Sequence, residues 1–247
     1  MSFTSDLSVD EVLLIEEAGF EPLEFVMGSS YFHLGWAPTM WSVNQELTTI
    51  SALMLRARWT AMQRLIAQAQ QVGADGVVGM NIEIEREGHH AEFAAIGTAV
   101  RRRAGDGGAW RTRHGHPFTC NLSGKDFWAL VRGGYRPVSL AHGVCVYHVA
   151  HQSLKQWLST NSYANYEHPQ FTQALYDARE LAMERVQYEA QQAGATGVVG
   201  VRVEEGSHGW SSHIIEFCVF GSGVIPIVDE RHETHEPPKA VMNVCDE

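Results

Sequence analysis

Residues 73–79 read GADGVVG, and residues 194–200 read GATGVVG. Each block follows a segment with helical periodicity and enters a segment rich in β-branched residues, so it predicts a turn from a helix into a strand. A phosphate-binding loop requires the opposite order, with the strand before the helix. The repeated block therefore indicates a duplicated structural unit and not a nucleotide site.

The repetition extends through almost the whole chain of 247 residues, at a spacing of about 115 to 124 residues. Matched segments lie before, within and after the central helix of each copy. They are residues 3–8 with 118–123, residues 57–64 with 178–185, and residues 89–98 with 213–222. The sequence therefore predicts two copies of one domain, residues 1–104 and 118–228, with a linker at 105–117 and a polar tail at 229–247.

Composition excludes several classes of protein. The formal net charge of -11 disfavours binding to a phosphate backbone, so we expect no nucleic-acid partner. No apolar run approaches the roughly 20 residues of a membrane helix, and the first residues do not resemble a signal peptide. The four cysteines are widely spaced and are interpreted as free thiols. We expect a cytoplasmic protein without a membrane partner.

The pattern of each copy predicts an α+β domain. Ser8 and Glu11 form a capping box that begins a short helix. Residues 46–72 contain no glycine or proline and place apolar side chains at steps of three and four, which predicts a long amphipathic helix. Strands are predicted at residues 20–34, 78–85 and 93–100.

The last of these strands is apolar or small at nearly every position, whereas residues 78–85 alternate between apolar and polar side chains. A strand of this kind must be covered on both faces. If it lies in the middle of a three-stranded sheet, the long helix covers one face, and another copy or subunit must cover the other. The pattern therefore predicts self-association.

The helix at residues 57–64, the block at 73–79 and the ending GTAV at 97–100 resemble the YbjQ-like family, whose members carry a heavy-metal-binding label. The resemblance covers residues 20–100 and 135–224. It implies a dodecin-like, ring-forming β-α-β-β subunit with a three-stranded antiparallel sheet, the third strand central, in commonly pentameric homo-oligomers. This chain departs from the pattern by carrying two such units, each with an added N-terminal helix.

Matched polar residues inside the apolar strands are the candidate metal ligands. They are His33, His89 and Glu92 in the first copy, and His148, His213 and Glu216 in the second. Imidazole and carboxylate groups are suitable ligands for Zn²⁺ or a related divalent ion. Residues three apart on a regular strand point to opposite faces, so His90 is a better partner than His89 unless a bulge intervenes.

Other interpretations of the same residues remain open. The histidines could be packed interface or core residues, with Glu92 and Glu216 paired either to the helix arginines Arg58 and Arg179 or to a neighbouring subunit. The chain would then be a non-catalytic scaffold, or a protein that binds a small ligand or a partner. An enzymatic role has only Glu92 and His33 as candidates, and we expect no enzyme. The spacing of His232 and His235 does not fit a zinc protease.

Overall fold

The computed structural model describes residues 5–33, 35, 40, 42–87, 90–105, 107–150, 169–207 and 213–227. Within them the helices are α1 (Val9–Glu17), α2 (Thr48–Gln71), α3 (Gly124–Arg132) and α4 (Pro169–Gln192), with a short 3-10 helix at Gly107–Trp110. The strands are β1 (Phe20–His33), β2 (Gln45–Glu46), β3 (Gly76–Glu87), β4 (His90–Arg102), β5 (Phe118–Thr119), β6 (Tyr135–His148), β7 (Gly197–Ser207) and β8 (Ile214–Pro226).

The short helices begin where the sequence predicts. Ser8 caps α1 by accepting a hydrogen bond from the amide of Glu11, whose carboxylate in turn accepts one from the amide of Ser8. Ser123 caps α3 through the amide of Asp126. Both helices end in a turn that leads directly into the first long strand of the repeat.

Each repeat forms an antiparallel sheet in which its third long strand is central, as the family resemblance implied. Sheet 1 has the order β1-β4-β3-β5, and sheet 2 has the order β2-β6-β8-β7. The prediction of three strands needs correction, because each sheet gains a fourth strand of two residues from the other repeat. β5 of the second repeat pairs in parallel with β3, and β2 of the first repeat pairs antiparallel with β6.

The long helices cover one face of their own sheets. Gly28 lies so close to α2 that a Cβ added there would be 2.2 Å from the carbonyl oxygen of Ala61. Gly143 stands in the same relation to Ala182 of α4, at 2.0 Å. Only glycine permits this approach of helix and strand, which explains why it occurs at the same place in both repeats.

The two central strands differ in how many faces are covered. β8 is buried at every position from Ile214 to Val224, whereas β4 alternates between buried and half-buried residues until Gly97. α4 covers one face of sheet 2, and α2 of the first repeat contacts its other face. Two-sided coverage was predicted for residues 93–100 of β4, where Ala94 and Ile96 are only half-buried. It is present instead for the matched strand β8, and the other repeat provides it.

No described helix is long and apolar enough to cross a membrane.

Candidate functional site

His33 and His90 form the closest contact among the candidate metal-binding residues of the first repeat. They lie opposite each other on β1 and β4, with Nδ1 of His33 at 3.3 Å from Nε2 of His90. Tyr31 stacks on the His90 ring, with centroids 5.2 Å apart. Glu92 is opposite Tyr31 and on the same face of the sheet. His89 lies outside the described residues.

The corresponding residues of the second repeat are more deeply buried. His148 is buried, and its Nδ1 lies 3.3 Å from the carbonyl oxygen of Val43 in the first repeat. Glu216 is only 1% exposed and accepts a hydrogen bond from the Cys218 thiol at 3.0 Å. His213 is half-buried immediately before β8. His148 therefore contributes to the contact between the repeats.

Within the part of the chain that the structure describes, no three side chains of histidine, cysteine, aspartate or glutamate come close enough together to hold a metal ion. A divalent transition metal ordinarily takes three or four such protein ligands. Burial raises the pKa of both the Cys120 and the Cys145 thiols to about 12, so neither is a thiolate at neutral pH. His33 and His90 are therefore a pair of donors without a third described ligand.

The expected pairing of Glu92 with Arg58 is wrong. The Arg58 guanidinium is fully buried and lies over the ring of Phe93, at 5.9 Å from its centroid. Glu92 precedes Phe93 on the strand, so its side chain points to the opposite face of the sheet. In the described structure the three guanidinium nitrogens of Arg58 have no hydrogen-bond partner.

The two repeats contact each other through several polar groups. The amide of Leu47 donates to the carbonyl oxygen of Val146 at 2.8 Å, and the amide of Val146 donates to the hydroxyl of Ser51 at 2.9 Å. Arg185 of α4 binds both carboxylate oxygens of Glu46, at 2.7 and 2.9 Å. This hydrogen bond is the main reason why the pKa of Arg185 is raised. Polar contacts thus fix the register of the two repeats.

Apolar side chains fill the rest of this contact. The outer face of sheet 2, the face turned away from α4, packs in one cluster with residues of α2 and β3. Its members in that cluster are Leu140, Val144, Val146, Ile214, Cys218 and Phe220. A single continuous core therefore joins the two repeats, as in an obligate interface between subunits.

The second repeat presents the same helix surface as the first, but no sheet among the described residues covers it. The helix-side surface of repeat 2 consists of Leu175, Tyr176, Met183, Val201 and Val203. Their counterparts in repeat 1 are, in that order, Met54, Leu55, Met62, Met80 and Ile82. Val201 and Val203 are 44% and 50% exposed, whereas Met80 and Ile82 are 1% and 4% exposed. The difference arises because sheet 2 covers the surface of repeat 1 only.

The first repeat in turn presents a sheet face that no described helix covers. The sheet-side surface of repeat 1 consists of Phe25, Met27, Tyr31, Ala94 and Ile96. Their counterparts in repeat 2 are Leu140, His142, Val146, Cys218 and Phe220. Met27 and Tyr31 are 49% and 61% exposed, whereas Val146 and Phe220 are 0% and 1% exposed. Each chain therefore contains one complete contact between a helix-side and a sheet-side surface. It also carries one further surface of each kind, which do not meet each other.

A cavity of about 480 Å³ opens between α2 and α4 at the rim of the contact. Trp59 and Tyr188 line it and are more than half exposed. His142 is buried in its wall, with Nδ1 at 3.0 Å from a carboxylate oxygen of Glu189, although the angle is not that of a hydrogen bond. The amide of His142 donates to the same oxygen at 2.7 Å. This histidine could not be singled out as a matched polar residue, because its counterpart in the first repeat is Met27.

Comparison with known proteins agrees with the duplicated architecture. A family model described as "Putative heavy-metal-binding", YbjQ_1, matches residues 25–103 and again residues 151–226. The "UPF0145 protein ACIAD2946" of Acinetobacter baylyi is 42% identical over 59 residues, which are 24% of this chain and 55% of that protein. This relative corresponds to part of the chain only.

A longer match spans both repeats. The "Encapsulin nanocompartment protein Rv1762c" of Mycobacterium tuberculosis is 45% identical over 226 residues, which cover 90% of this chain and 86% of that protein. The duplicated arrangement is therefore shared along most of two chains. The family model matches more than half of the residues, in two places, and the chain accordingly belongs to the YbjQ family, with two copies of its domain.

Proposed function

We propose that the chain is a non-catalytic assembly protein that joins head to tail with further copies of itself. The observation that carries this proposal is the difference in burial between matched positions. The helix-side surface of repeat 2 lacks the cover that its counterpart in repeat 1 receives, and the sheet-side surface of repeat 1 lacks a helix. The contact inside the chain gives the geometry by which one surface fits the other.

Such a contact is heterologous, since two different surfaces meet. A chain that uses both surfaces has two neighbours, and the series closes into a ring if the rotation between neighbours permits it. The ring assembly implied by the family resemblance is one outcome of this arrangement. Leaving Tyr31, Val201 and Val203 exposed together with the rest of the two apolar surfaces would be unusual for a monomer.

The Mycobacterium tuberculosis relative carries the name of an encapsulin nanocompartment protein. We extend the proposal to this setting: the head-to-tail oligomer is a component of such a compartment. The high identity over both repeats supports this extension. In a density gradient of native cell extract, the chain should then sediment with the compartment particles and not with free oligomers.

The charge substitution Val203→Glu tests assembly directly. Val203 is 50% exposed in the single chain, so the folded monomer should tolerate a carboxylate there. At the head-to-tail contact the charge would be buried, which costs several kcal/mol. We expect a dissociation constant for assembly at least about 100-fold higher than that of the wild type. Native mass spectrometry over a concentration series measures the change.

Gln63→Glu is the matched control. Gln63 and its counterpart Glu184 are both exposed, so this position lies outside the contact surface in either repeat. The control adds the same charge to a long helix and should assemble like the wild type. Wild-type protein that stays monomeric at every concentration, or equal assembly of both variants, would contradict the proposal.

Metal binding is a second candidate function, favoured by the contact of His33 with His90 and by the family description. If these imidazoles are ligands, the double substitution of His33 and His90 by alanine should remove the zinc that untagged protein retains, measured by elemental analysis. His114→Ala in the linker should leave the zinc content unchanged. Unchanged zinc in the double variant, or none in the wild type, would argue against this function.

A further inference from the structure

Residues 118–122 bind to repeat 1 through their main chain. The amide of Phe118 donates to the carbonyl oxygen of Asp75, and the amide of Cys120 donates to that of Val77, both at 3.0 Å. In the other direction, the amide of Met80 donates to the carbonyl oxygen of Cys120 at 2.9 Å. These bonds add the start of the second repeat to the edge of β3 as a short parallel strand.

A glycine makes room for the aromatic ring of this segment. A Cβ added to Gly76 would lie 2.1 Å from the ring of Phe118, so no larger residue fits at this place on β3. The Phe118 ring is fully buried. It stacks on Phe127 at 5.9 Å between centroids and meets the edge of Phe20 at 6.0 Å. The pairing therefore combines strand addition with a specific site for one phenylalanine.

The second repeat preserves this docking site, and none of the described strands fills it. Gly197 occupies the position of Gly76, and a Cβ added there would meet only Val224, at 3.8 Å. Gly200 has φ +62°, close to the φ +68° of Gly79, so both strands carry the same irregularity at this point. On its free side the start of β7 has no neighbour in the described sheet.

The sequence contains a second copy of the docking segment. Residues 3–8 read FTSDLS where residues 118–123 read FTCNLS. The later part of each copy is attached to its own repeat in the same way: Leu7 lies 3.2 Å from the Cβ position of Gly79, and Leu122 lies 2.6 Å from that of Gly200. In the second repeat, the residues just before this attachment reach across to the neighbouring repeat.

The sequence match between residues 3–8 and 118–123 raises the question of which repeat residues 3 and 4 would bind. Ser5 is fixed to the first repeat by a contact of 3.1 Å between its hydroxyl and that of Thr98. In the second repeat Ser222 is the counterpart of Thr98, and its hydroxyl accepts a hydrogen bond from the amide of Asn121, one residue after the match of Ser5, at 3.0 Å. The preceding repeat in a head-to-tail series is the second repeat of another copy.

We infer that Phe3 and Thr4 of one copy add to the start of β7 in a second copy as a parallel strand, with the Phe3 ring over Gly197. This inference rests on the proposed head-to-tail assembly and names a further part of its contact. It assigns the occupant of an open strand edge, which proteins ordinarily keep covered. The contact would lock neighbouring chains together outside the apolar surfaces described above.

A photo-crosslinker placed at position 3 tests this assignment. Full-length protein with p-benzoylphenylalanine in place of Phe3 is prepared in light and heavy isotopic forms, mixed under dissociating conditions, reassembled and irradiated. We expect mixed light-heavy crosslinks to a peptide that contains residues 195–199. The same crosslinker at exposed Glu24 serves as the control and should not label this peptide.

The outcomes separate this inference from the proposed assembly. Intact oligomers whose crosslinks map elsewhere, or only within one isotopic form, would overturn the docking of Phe3 and leave head-to-tail assembly standing. Crosslinks found only within one isotopic form would mean that a segment of the same chain binds to the edge of β7. Failure to form any oligomer would overturn both.

Two substitutions give a second test without a crosslinker. Gly197→Ala places a Cβ where the Phe3 ring should lie, and we expect a dissociation constant about 10- to 100-fold higher. Gly206→Ala is the control, since its Cβ would meet no atom within 4 Å. Phe3→Ala should weaken assembly by the same factor and add nothing in the Gly197→Ala background. Additive effects of the two substitutions would contradict the inference.

Discussion

Cys120 and Cys145 are held in the thiol form by their surroundings. Both side chains are fully buried, and burial is the main reason why the pKa of each rises from 9.0 to about 12. A rise of this size lowers the fraction of reactive thiolate by about 1,000-fold, since each pKa unit is a factor of ten. Cys218 is also buried, at 2% exposure. All three side chains contribute to packing, and burial disfavours the thiolate form of Cys120 and Cys145.

A thiol reagent checks this conclusion. In a Cys245→Ser variant, we expect the remaining three cysteines of the chain to react with an aromatic disulfide reagent at pH 8 at least about 100-fold more slowly than in 6 M guanidinium chloride. The release of thiolate is followed by absorbance. Rapid reaction of one thiol in the folded protein would show that a buried site opens readily and would reopen a redox or ligand role for it.

At the residue scale, the sequence identified candidate site residues but not the face of the sheet to which each side chain points. Glu92 and its match Glu216 were correctly identified as unusual carboxylates in apolar strands, yet the pairing with Arg58 failed. The reason is the alternation of side chains: α2 lies on the Phe93 face, and Glu92 is on the other. Which face a helix covers depends on tertiary packing, so the pattern of the strand alone did not decide it.

α1 and α3 connect the two repeats through a helix cap. The carboxylate of Glu11 accepts hydrogen bonds from the amide of Ser8 at 3.0 Å and from the amide of Gly124 in the second repeat at 3.1 Å. The hydrogen bond with Ser8 is the main cause of the lowered pKa of Glu11. The contact stabilises the folded state through the ionised form of this side chain.

Glu11→Ala should lower the free energy of unfolding by about 1 kcal/mol at pH 7, because a cap and a contact between repeats are lost. A group whose pKa is lowered on folding contributes stability above its ordinary value, here 4.5, and loses that contribution as the pH falls through the folded value. The difference from the wild type should therefore shrink toward pH 3. Urea denaturation at several pH values measures it.

The control is the neighbouring exposed residue of the same helix, Glu17. Glu17→Ala changes the helix charge equally but removes no cap, and it should stay within a few tenths of a kcal/mol of the wild type. If the two alanine variants are equally destabilised, or if the Glu11→Ala effect persists at pH 3, the carboxylate is not the source of the stability.

At the element scale, long periodic segments were predicted well and short ones were missed. The helix expected at residues 46–72 occupies Thr48–Gln71, because three- and four-residue spacing over many turns leaves little ambiguity. The two-residue strands β2 and β5 have no periodicity of their own. They exist because the other repeat offers a strand edge, and only the three-dimensional structure contains that information.

For the whole molecule, the main prediction was self-association, and it was based on the apolar character of the third strand. Coverage of both faces was predicted from residues 93–100 of β4, whereas the structure shows it for the matched strand β8, whose outer face is covered by α2. The cavity with His142 and Glu189 could not be predicted, since it exists only where two repeats meet and the two residues are 47 positions apart in the chain. The head-to-tail direction of the assembly could likewise be inferred only by comparing the burial of matched side chains in the two repeats.

Head-to-tail association predicts a specific result when two defective variants are mixed. Val203→Glu removes the helix-side surface of repeat 2, and Tyr31→Glu removes the sheet-side surface of repeat 1; both residues are at least half exposed in the single chain. Each variant alone should remain monomeric. A mixture should form a heterodimer and nothing larger, because only one functional surface of each kind remains.

Native mass spectrometry of the mixture should therefore show a species of twice the 27.5 kDa chain mass, containing one copy of each variant. Isotopic labelling of one variant identifies the composition. An isologous contact, in which one surface meets itself, would instead let at least one variant form homodimers or larger oligomers. Homodimers of either variant would contradict the heterologous contact and indicate a symmetric one. A heterodimer with one copy of each variant would establish that the helix-side surface of one chain binds the sheet-side surface of the next.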